Sequence, residues 1–116
     1  GNDKLFGQDG NDFMVAWEGD DLLIGGKGND EMDGQAGADR FEFFADDFEA
    51  GGRDVILAYD AADTYAFKGH PNITSLSFVA IGPDARIEVN LAGGGIALID
   101  VLGATAPDVQ ANVTFF

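Results

Sequence analysis

Asp3, Asp12, Asp21, Asp30 and Asp39 stand nine residues apart without exception. Carboxylates repeated at so short a fixed interval can do something scattered ones cannot. If copies of the same turn stack, the carboxylates face each other and form an all-oxygen shell for a hard cation.

Aligned in nines, the segment reads GQDGNDFMV (7–15), AWEGDDLLI (16–24), GGKGNDEMD (25–33) and GQAGADRFE (34–42), after a partial GNDKLF (1–6). The fourth column is always Gly (Gly1, Gly10, Gly19, Gly28, Gly37) and the sixth always Asp. The eighth is always bulky and apolar: Leu5, Met14, Leu23, Met32 and Phe41. A nine-residue unit cannot bury its own apolar position, so the units must stack and share an interior. Six polar, Gly-rich residues suit a tight turn, and the three that follow suit a very short strand. Two units then close one coil of 18 residues, with Asp3, Asp21 and Asp39 on one edge and Asp12 and Asp30 on the other. Facing pairs suit Ca²⁺ better than Mg²⁺, which sheds its water reluctantly. Without a cation the carboxylates repel, so the empty coil is expected to be unstable.

These residues resemble the RTX (repeats-in-toxin, haemolysin-type) calcium-binding nonapeptide, G-G-x-G-x-D-x-U-x. The resemblance implies a parallel β-roll with Ca²⁺ between same-edge turns, held by the sixth-column Asp and by carbonyls of the Gly-rich turns marked by Gly1, Gly10, Gly19, Gly28 and Gly37. Carried over, it gives three ions: Asp3 with Asp21, Asp21 with Asp39, and Asp12 with Asp30. A fourth would join the Asp30 turn to a later one near Gly51, Gly52 and Asp54. Ala16 and Trp17 replace the usual Gly-Gly, and Gln8 and Gln35 the second Gly, so backbone that is strained or differently solvated is expected there. Asp9, Glu18, Asn2, Asn11, Asp20 and Asn29 are read as solvated or supporting groups rather than ligands.

The elements that must position this array follow from the rest of the chain. The 116 residues allow one small domain or a piece of something larger, and the partial first unit points to a longer parent. The net charge of −15 is uneven: through Asp63 there are 17 acidic and 4 basic residues, and beyond it 4 and 2. That field excludes nucleic acid and anionic membranes as partners and makes cations the natural counter-charge. With no Cys, neither disulfides nor thiolates can staple the fold. No apolar run reaches a membrane span, and the N-terminus has no signal-peptide pattern, so any export address lies elsewhere.

After Phe41 the register breaks into FEFFADDFEAGGRDVILAYDAADTYAFKG. This resembles the segment that follows RTX rolls; Asp54, Asp60 and Asp63 are read as caps or solvated groups first, and as one more ion site second. From Ile73 the chain reads as antiparallel strands, ITSLSFVAI, RIEVNL and IALIDVL, separated by GPDA and AGGG turns. The fold class is therefore all-β: a parallel β-roll (1–42), a capping or transition segment (43–72) and short antiparallel strands packing on the roll (73–116). The end, APDVQANVTFF, reads equally as an edge strand and, by resemblance, as a tail read by a type I (ABC) exporter. Phe6, Phe13, Val15, Leu22 and Ile24 point out of the roll, so a cover is expected from the strands after Ile73 or from an upstream part.

Catalytic chemistry finds little footing. His70 is the sole His, and there is no His-E-x-x-His, no Cys nucleophile and no G-x-S-x-G elbow. His70 reads as a loop residue, Trp17 as packed rather than stacked on a sugar, and the acceptor triplets at Asn72 and Asn112 as accidental matches. The resemblance thus implies a non-catalytic, monomeric C-terminal module of a larger protein exported by a Gram-negative bacterium through type I secretion, folding outside the cell on three or more Ca²⁺ ions. The alternative is a polysaccharide-binding accessory module of the kind attached to alginate epimerases, with Lys4, Lys27, Arg40, Arg53 and Trp17 as its candidates; calcium-dependent adhesion or self-assembly is a minor third.

Overall fold

A computed structural model describes residues 2–57, 59–68 and 72–116. Gly1 and His70, both singled out above, lie outside the described residues.

Four three-residue strands open the chain: β1 (Lys4–Phe6), β2 (Phe13–Val15), β3 (Leu22–Ile24) and β4 (Glu31–Asp33). Strands this short make few ladder bonds, so they persist only because each pairs in parallel with the strand one coil away. Leu5 lies beside Leu23, Leu23 beside Phe41, and Met14 beside Met32. Each partner is 18 residues on, as two nonapeptides per coil require. Odd strands form one sheet and even strands the other, and the eighth-column side chains fill the space between. Leu23, Met32 and Phe41 are fully buried, Met14 nearly so, and Leu5 at the first coil is half-buried.

The roll continues beyond the legible repeat. Strand β5 (Arg40–Phe44) leads into a short 3-10 turn (Ala45–Asp47), after which β6 (Arg53–Leu57) and β7 (Thr64–Lys68) rejoin the two sheets. Here the pairing step is 24 residues, Glu31 with Val55 and Arg40 with Thr64. Six residues are therefore inserted between β5 and β6, and the insert tucks Phe48 inward. Its ring stacks on Phe43 and Phe67 at centroid distances of 6.0 and 6.3 Å. Phe41 on Tyr65 and Phe43 on Phe67 extend the stack, an interior of aromatics where the first coils have aliphatics. The segment 43–72, expected as a transition, thus supplies two more strands of the roll.

The antiparallel strands form where the alternation and turn residues put them: β8 (Ile73–Ile81), β9 (Asp84–Leu91) and β10 (Ile96–Val101). They pack on the roll as expected, sharing its core, and they do so edge to edge. β10 pairs in parallel with β6, so the meander lengthens the even sheet edge to edge, giving the order β2-β4-β6-β10-β9-β8. A helix, α1 (Ala106–Ala111), starts at Thr105, whose hydroxyl accepts the Asp108 N–H at 3.3 Å. Strand β11 (Val113–Phe115) then pairs in parallel with β7 and closes the odd sheet, β1-β3-β5-β7-β11. The edge-strand reading of the tail is the arrangement found.

The expected cover over the outward apolar residues is not supplied by the later strands. Those strands satisfy the open backbone edges of β6 and β7, which a face-on arrangement would leave unpaired. Phe6 and Phe13 remain 57% and 65% exposed, while Val15, Leu22 and Ile24 are half-buried among their neighbours. Among the described residues no helix is long and apolar enough to cross a membrane.

Candidate metal centre

Each six-residue turn stacks on the turn one coil away, and the glycine columns show how closely. Gly10, Gly19, Gly28 and Gly37 have φ of 101°, 115°, 104° and 118°. A Cβ on Gly28 or Gly37 would run into the carbonyl of Gly10 or Gly19 in the same-edge turn. The backbone angle therefore favours glycine in the fourth column, and at Gly28 and Gly37 proximity demands it as well. In the second column Gln8, Trp17 and Gln35 take φ of 67°, 68° and 58°, left-handed backbone in residues that carry a Cβ. The strain expected at those replacements is present. Trp17 departs from expectation in another way: its turn position points it to solvent, where it is 67% exposed instead of packed.

Two hydrogen-bond ladders stitch the turns in opposite directions. In the sixth column each Asp Oδ1 accepts the Asp N–H of the preceding same-edge turn: Asp21 from Asp3 at 2.6 Å, Asp30 from Asp12 at 2.9 Å and Asp39 from Asp21 at 2.9 Å. The ladder runs on past the repeats, with Asp54 accepting from Asp30 at 2.8 Å and Asp63 from Asp39 at 3.0 Å. In the fifth column the acceptors serve the following turn: Asn2 from Asp20, Asn11 from Asn29, Asp20 from Ala38 and Asn29 from Arg53. Asn2, Asn11, Asp20 and Asn29 are thus supporting groups, as read from the sequence. The nine-residue step that marks Asp54 and Asp63 was hidden by the insert, which sets Asp54 at 15 residues from Asp39.

The second carboxylate oxygen is where the chemistry lies. Oδ2 of Asp12, Asp21, Asp30 and Asp39 is buried and has no hydrogen-bond partner. Such a group costs on the order of 1–3 kcal/mol, more when charged, so four in one array call for a ligand. Each of these four has another same-edge turn stacked after it. Asp54 and Asp63 have none; Asp63 Oδ2 takes the N–H of Asp60 at 3.0 Å. The space is visible at Gly7, where a Cβ would lie 2.6 Å from the Gly25 carbonyl oxygen and 2.8 Å from Asp12 Oδ2. Carbonyl and carboxylate from successive turns converge on the point that the missing methyl leaves open. Gly25 and Gly34 stand likewise against Asp30 and Asp39, whereas Ala16 brings a methyl to the equivalent place before Asp21.

The electrostatics agree. Burial, then the neighbouring Asp12, pushes Asp30 up to about 6, and burial with Asp63 and Asp21 does the same to Asp39. Burial and Asp30 raise Asp54 to about 7, and burial and Asp60 raise Asp63 to about 6. No Lys or Arg pairs with any of them among the described residues. Nor does any cluster of three or more His, Cys, Asp or Glu side chains form there. A cation must therefore draw on backbone carbonyls as well as carboxylates, a donor set that fits Ca²⁺.

Residues 1–23 and 18–42 match the RTX calcium-binding nonapeptide repeat (4 copies). No curated protein sequence matches the chain. Among solved structures it is similar to the AlgE6R3 subunit of the Azotobacter vinelandii mannuronan C5-epimerase, with TM-score 0.65 and 23% identity over 97% of this chain and 77% of that one. It is also similar to the extracellular lipase LipA of Serratia marcescens, with TM-score 0.57 and 20% identity over 97% of this chain. The chain spans 19% of that lipase. At these identities the likeness is one of fold: a β-roll with strands added at its end.

Proposed function

We propose that this chain, whose first 42 residues are RTX calcium-binding repeats, is a non-catalytic module of a larger secreted bacterial protein that folds when Ca²⁺ fills its turns. The observation that carries this reading is the set of four buried Oδ2 atoms without partners. Ions would lie between Asp3 and Asp21, Asp21 and Asp39, and Asp12 and Asp30, with a fourth between Asp30 and Asp54. Carbonyls of the glycine-rich turns complete each shell. In low calcium the roll is a stack of repelling carboxylates; outside the cell, millimolar Ca²⁺ neutralises it. With a dissociation constant of about 10⁻⁴ M, each site stabilises the fold by about 1.4 kcal/mol at millimolar calcium, and three give about 4 kcal/mol. That is comparable to the whole stability of a small domain. Export by a type I system in a Gram-negative bacterium, with the tail from Ala106 read by the ABC exporter, belongs to the same reading.

The test is far-UV circular dichroism and melting during a Ca²⁺ titration, with Mg²⁺ as control and Asp21→Ala as the disabled variant. Gain of β signal with Ca²⁺ alone, weakened in the variant, is expected. A chain fully folded in chelator and indifferent to Ca²⁺ would overturn the reading.

A second reading, a polysaccharide-binding accessory module, draws on the exposed rings of Trp17, Phe13 and Phe6. Two of the four basic groups it needs are engaged: Arg40 pairs with Glu42 at 2.7 Å and Arg53 with Asp100 at 2.5 Å. The open groove of about 500 Å³ beside Phe6, Ile24 and Phe44 offers Lys27 but also Asp9, Asp46 and Asp47. An acidic glycan is a poor match for that lining. Binding of alginate in calcium buffer would favour this second reading.

A further inference from the structure

We propose a calcium site outside the recognisable repeats, between the turns of Asp39 and Asp63, whose ion also fixes the C-terminal strand β11. This rests on the calcium reading above and extends it to a turn that the family match, ending at residue 42, does not reach.

Asp39 is 1% exposed, its Oδ2 has no partner, and its Oδ1 is tied to Asp21 N–H in the preceding turn. Its Oδ2 lies beside Gly34 of its own turn, and the same-edge turn stacked next after it is that of Asp63. Asp63 is also 1% exposed and accepts the N–H groups of Asp39 and Asp60, both at 3.0 Å. Each of its oxygens keeps a second lone pair for a metal. Among the described residues neither Asp39 nor Asp63 has a basic partner, so two buried carboxylates share a space without counter-charge. The arrangement repeats that of Asp12 and Asp30, with a chain separation of 24 residues in place of 18.

The consequence lies at the tail. Asn112 donates its side-chain N–H to the Ala61 carbonyl, inside the Asp63 turn, and accepts the N–H of Tyr65 on its own carbonyl. β11 then pairs Val113, Thr114 and Phe115 with Tyr65, Ala66 and Phe67, and Phe116 N–H reaches the Phe67 carbonyl. The backbone bonds that seat the last residues therefore go to the turn and strand the ion would order. Calcium at Asp63 holds the tail as a strand, and its loss frees it.

Calcium counting by native mass spectrometry, with hydrogen exchange of residues 112–116, tests this on the full chain and on Asp63→Asn. The variant is expected to bind one ion fewer and to lose calcium-dependent protection at 113–116, while β1–β4 keep theirs. Equal ion counts and equal tail protection would overturn the proposal. Should the variant not fold, broadening by substoichiometric Gd³⁺ in the wild-type protein decides: the amides of Ala62 and Asp63 must broaden with those of the repeat turns, and sharp signals there overturn the site. A wild-type chain that binds no calcium removes the underlying reading as well, so the two failures are distinguishable.

Discussion

Asp54 and Asp100 lie on adjacent strands of one sheet, β6 and β10, and both are buried, yet their carboxyls are pushed opposite ways. Burial and the neighbouring Asp30 raise Asp54 to about 7. Burial would raise Asp100 too, but the guanidiniums of Arg86 and Arg53 hold it below the usual carboxylate range, at 2.6 and 2.5 Å. Arg53 directly precedes Asp54 in sequence but spends its charge on the other strand. Asp100 has its counter-charges in covalent form, Arg86 from the meander and Arg53 from β6 of the roll, whereas the turn aspartates of the roll have none among the described residues. A charge supplied from solution can be withdrawn, so the proposed function makes one half of the molecule conditional and the other not.

The largest effect that separates the halves is pH in the absence of calcium. In the roll Asp30, Asp39 and Asp63 have folded-state values of about 6 and Asp54 about 7, all above the 3.8 of an unperturbed Asp. The folded roll then binds more protons than the unfolded chain, so its stability is full below about pH 4 and falls as pH rises to about 7. Asp100 has the opposite sign: its contribution is present at neutral pH and fades as pH falls through its lowered value. In chelator, melting followed at β1–β7 should improve on acidification from pH 7 to 5; with Ca²⁺ the same change should weaken the roll as protons displace the ion. A cation-free roll that is equally stable at both pH values would break the comparison.

Next in size is Asp100→Ala. It removes three charge-assisted contacts, two from Arg86 and one from Arg53, and leaves both guanidiniums without their partner, although both reach water. The expected loss is about 3 kcal/mol, the lower end for breaking a buried pair. It should be the same with calcium and with chelator, measured by urea unfolding and by exchange in β9 and β10. A calcium-dependent loss would mean that the meander is not independent of the roll's ions.

The sequence made the conditional half far more legible than the other. Every unit through Phe41 repeats Gly, Asp and an apolar residue in fixed columns, which sets coil length, edges and interior at once. The six-residue insert hides the continuation, because Asp54 and Asp63 keep the nine-residue step between themselves but fall out of phase with Asp39. The fifth-column Asn ladder was equally hard to foresee, since an Asn beside an Asp gives no sign of which turn its oxygen serves. For β8 to β10, alternation and turn residues locate strands and buried faces. They do not say which backbone edge a strand joins, so the parallel seam between β10 and β6 had no signal.

Asp21 sharpens the contrast at a smaller scale because it borders two stacked spaces. Asp21→Asn keeps the shape and one acceptor but weakens two sites, so about 2 kcal/mol of calcium-dependent stabilisation should vanish. In chelator the same change removes a repelling charge and should be neutral or slightly stabilising. Paired melts in Ca²⁺ and chelator give both signs; a loss of equal size in the two buffers would assign Asp21 a purely structural role.

The smallest effect concerns the turn backbone itself. Gln8 holds φ at 67°, where a side chain costs on the order of 1–2 kcal/mol. Gln8→Gly removes that strain but adds unfolded-state entropy worth roughly 0.5–1 kcal/mol. The net gain should be about 0.5 kcal/mol, a melting shift of about 2–4 °C. Unlike the Asp21 change, it should appear alike with and without calcium, because the left-handed turn is part of the coil whether or not an ion fills it. A gain confined to the calcium-loaded protein would show that the empty turn does not keep this conformation, and that calcium shapes the backbone as well as neutralising it.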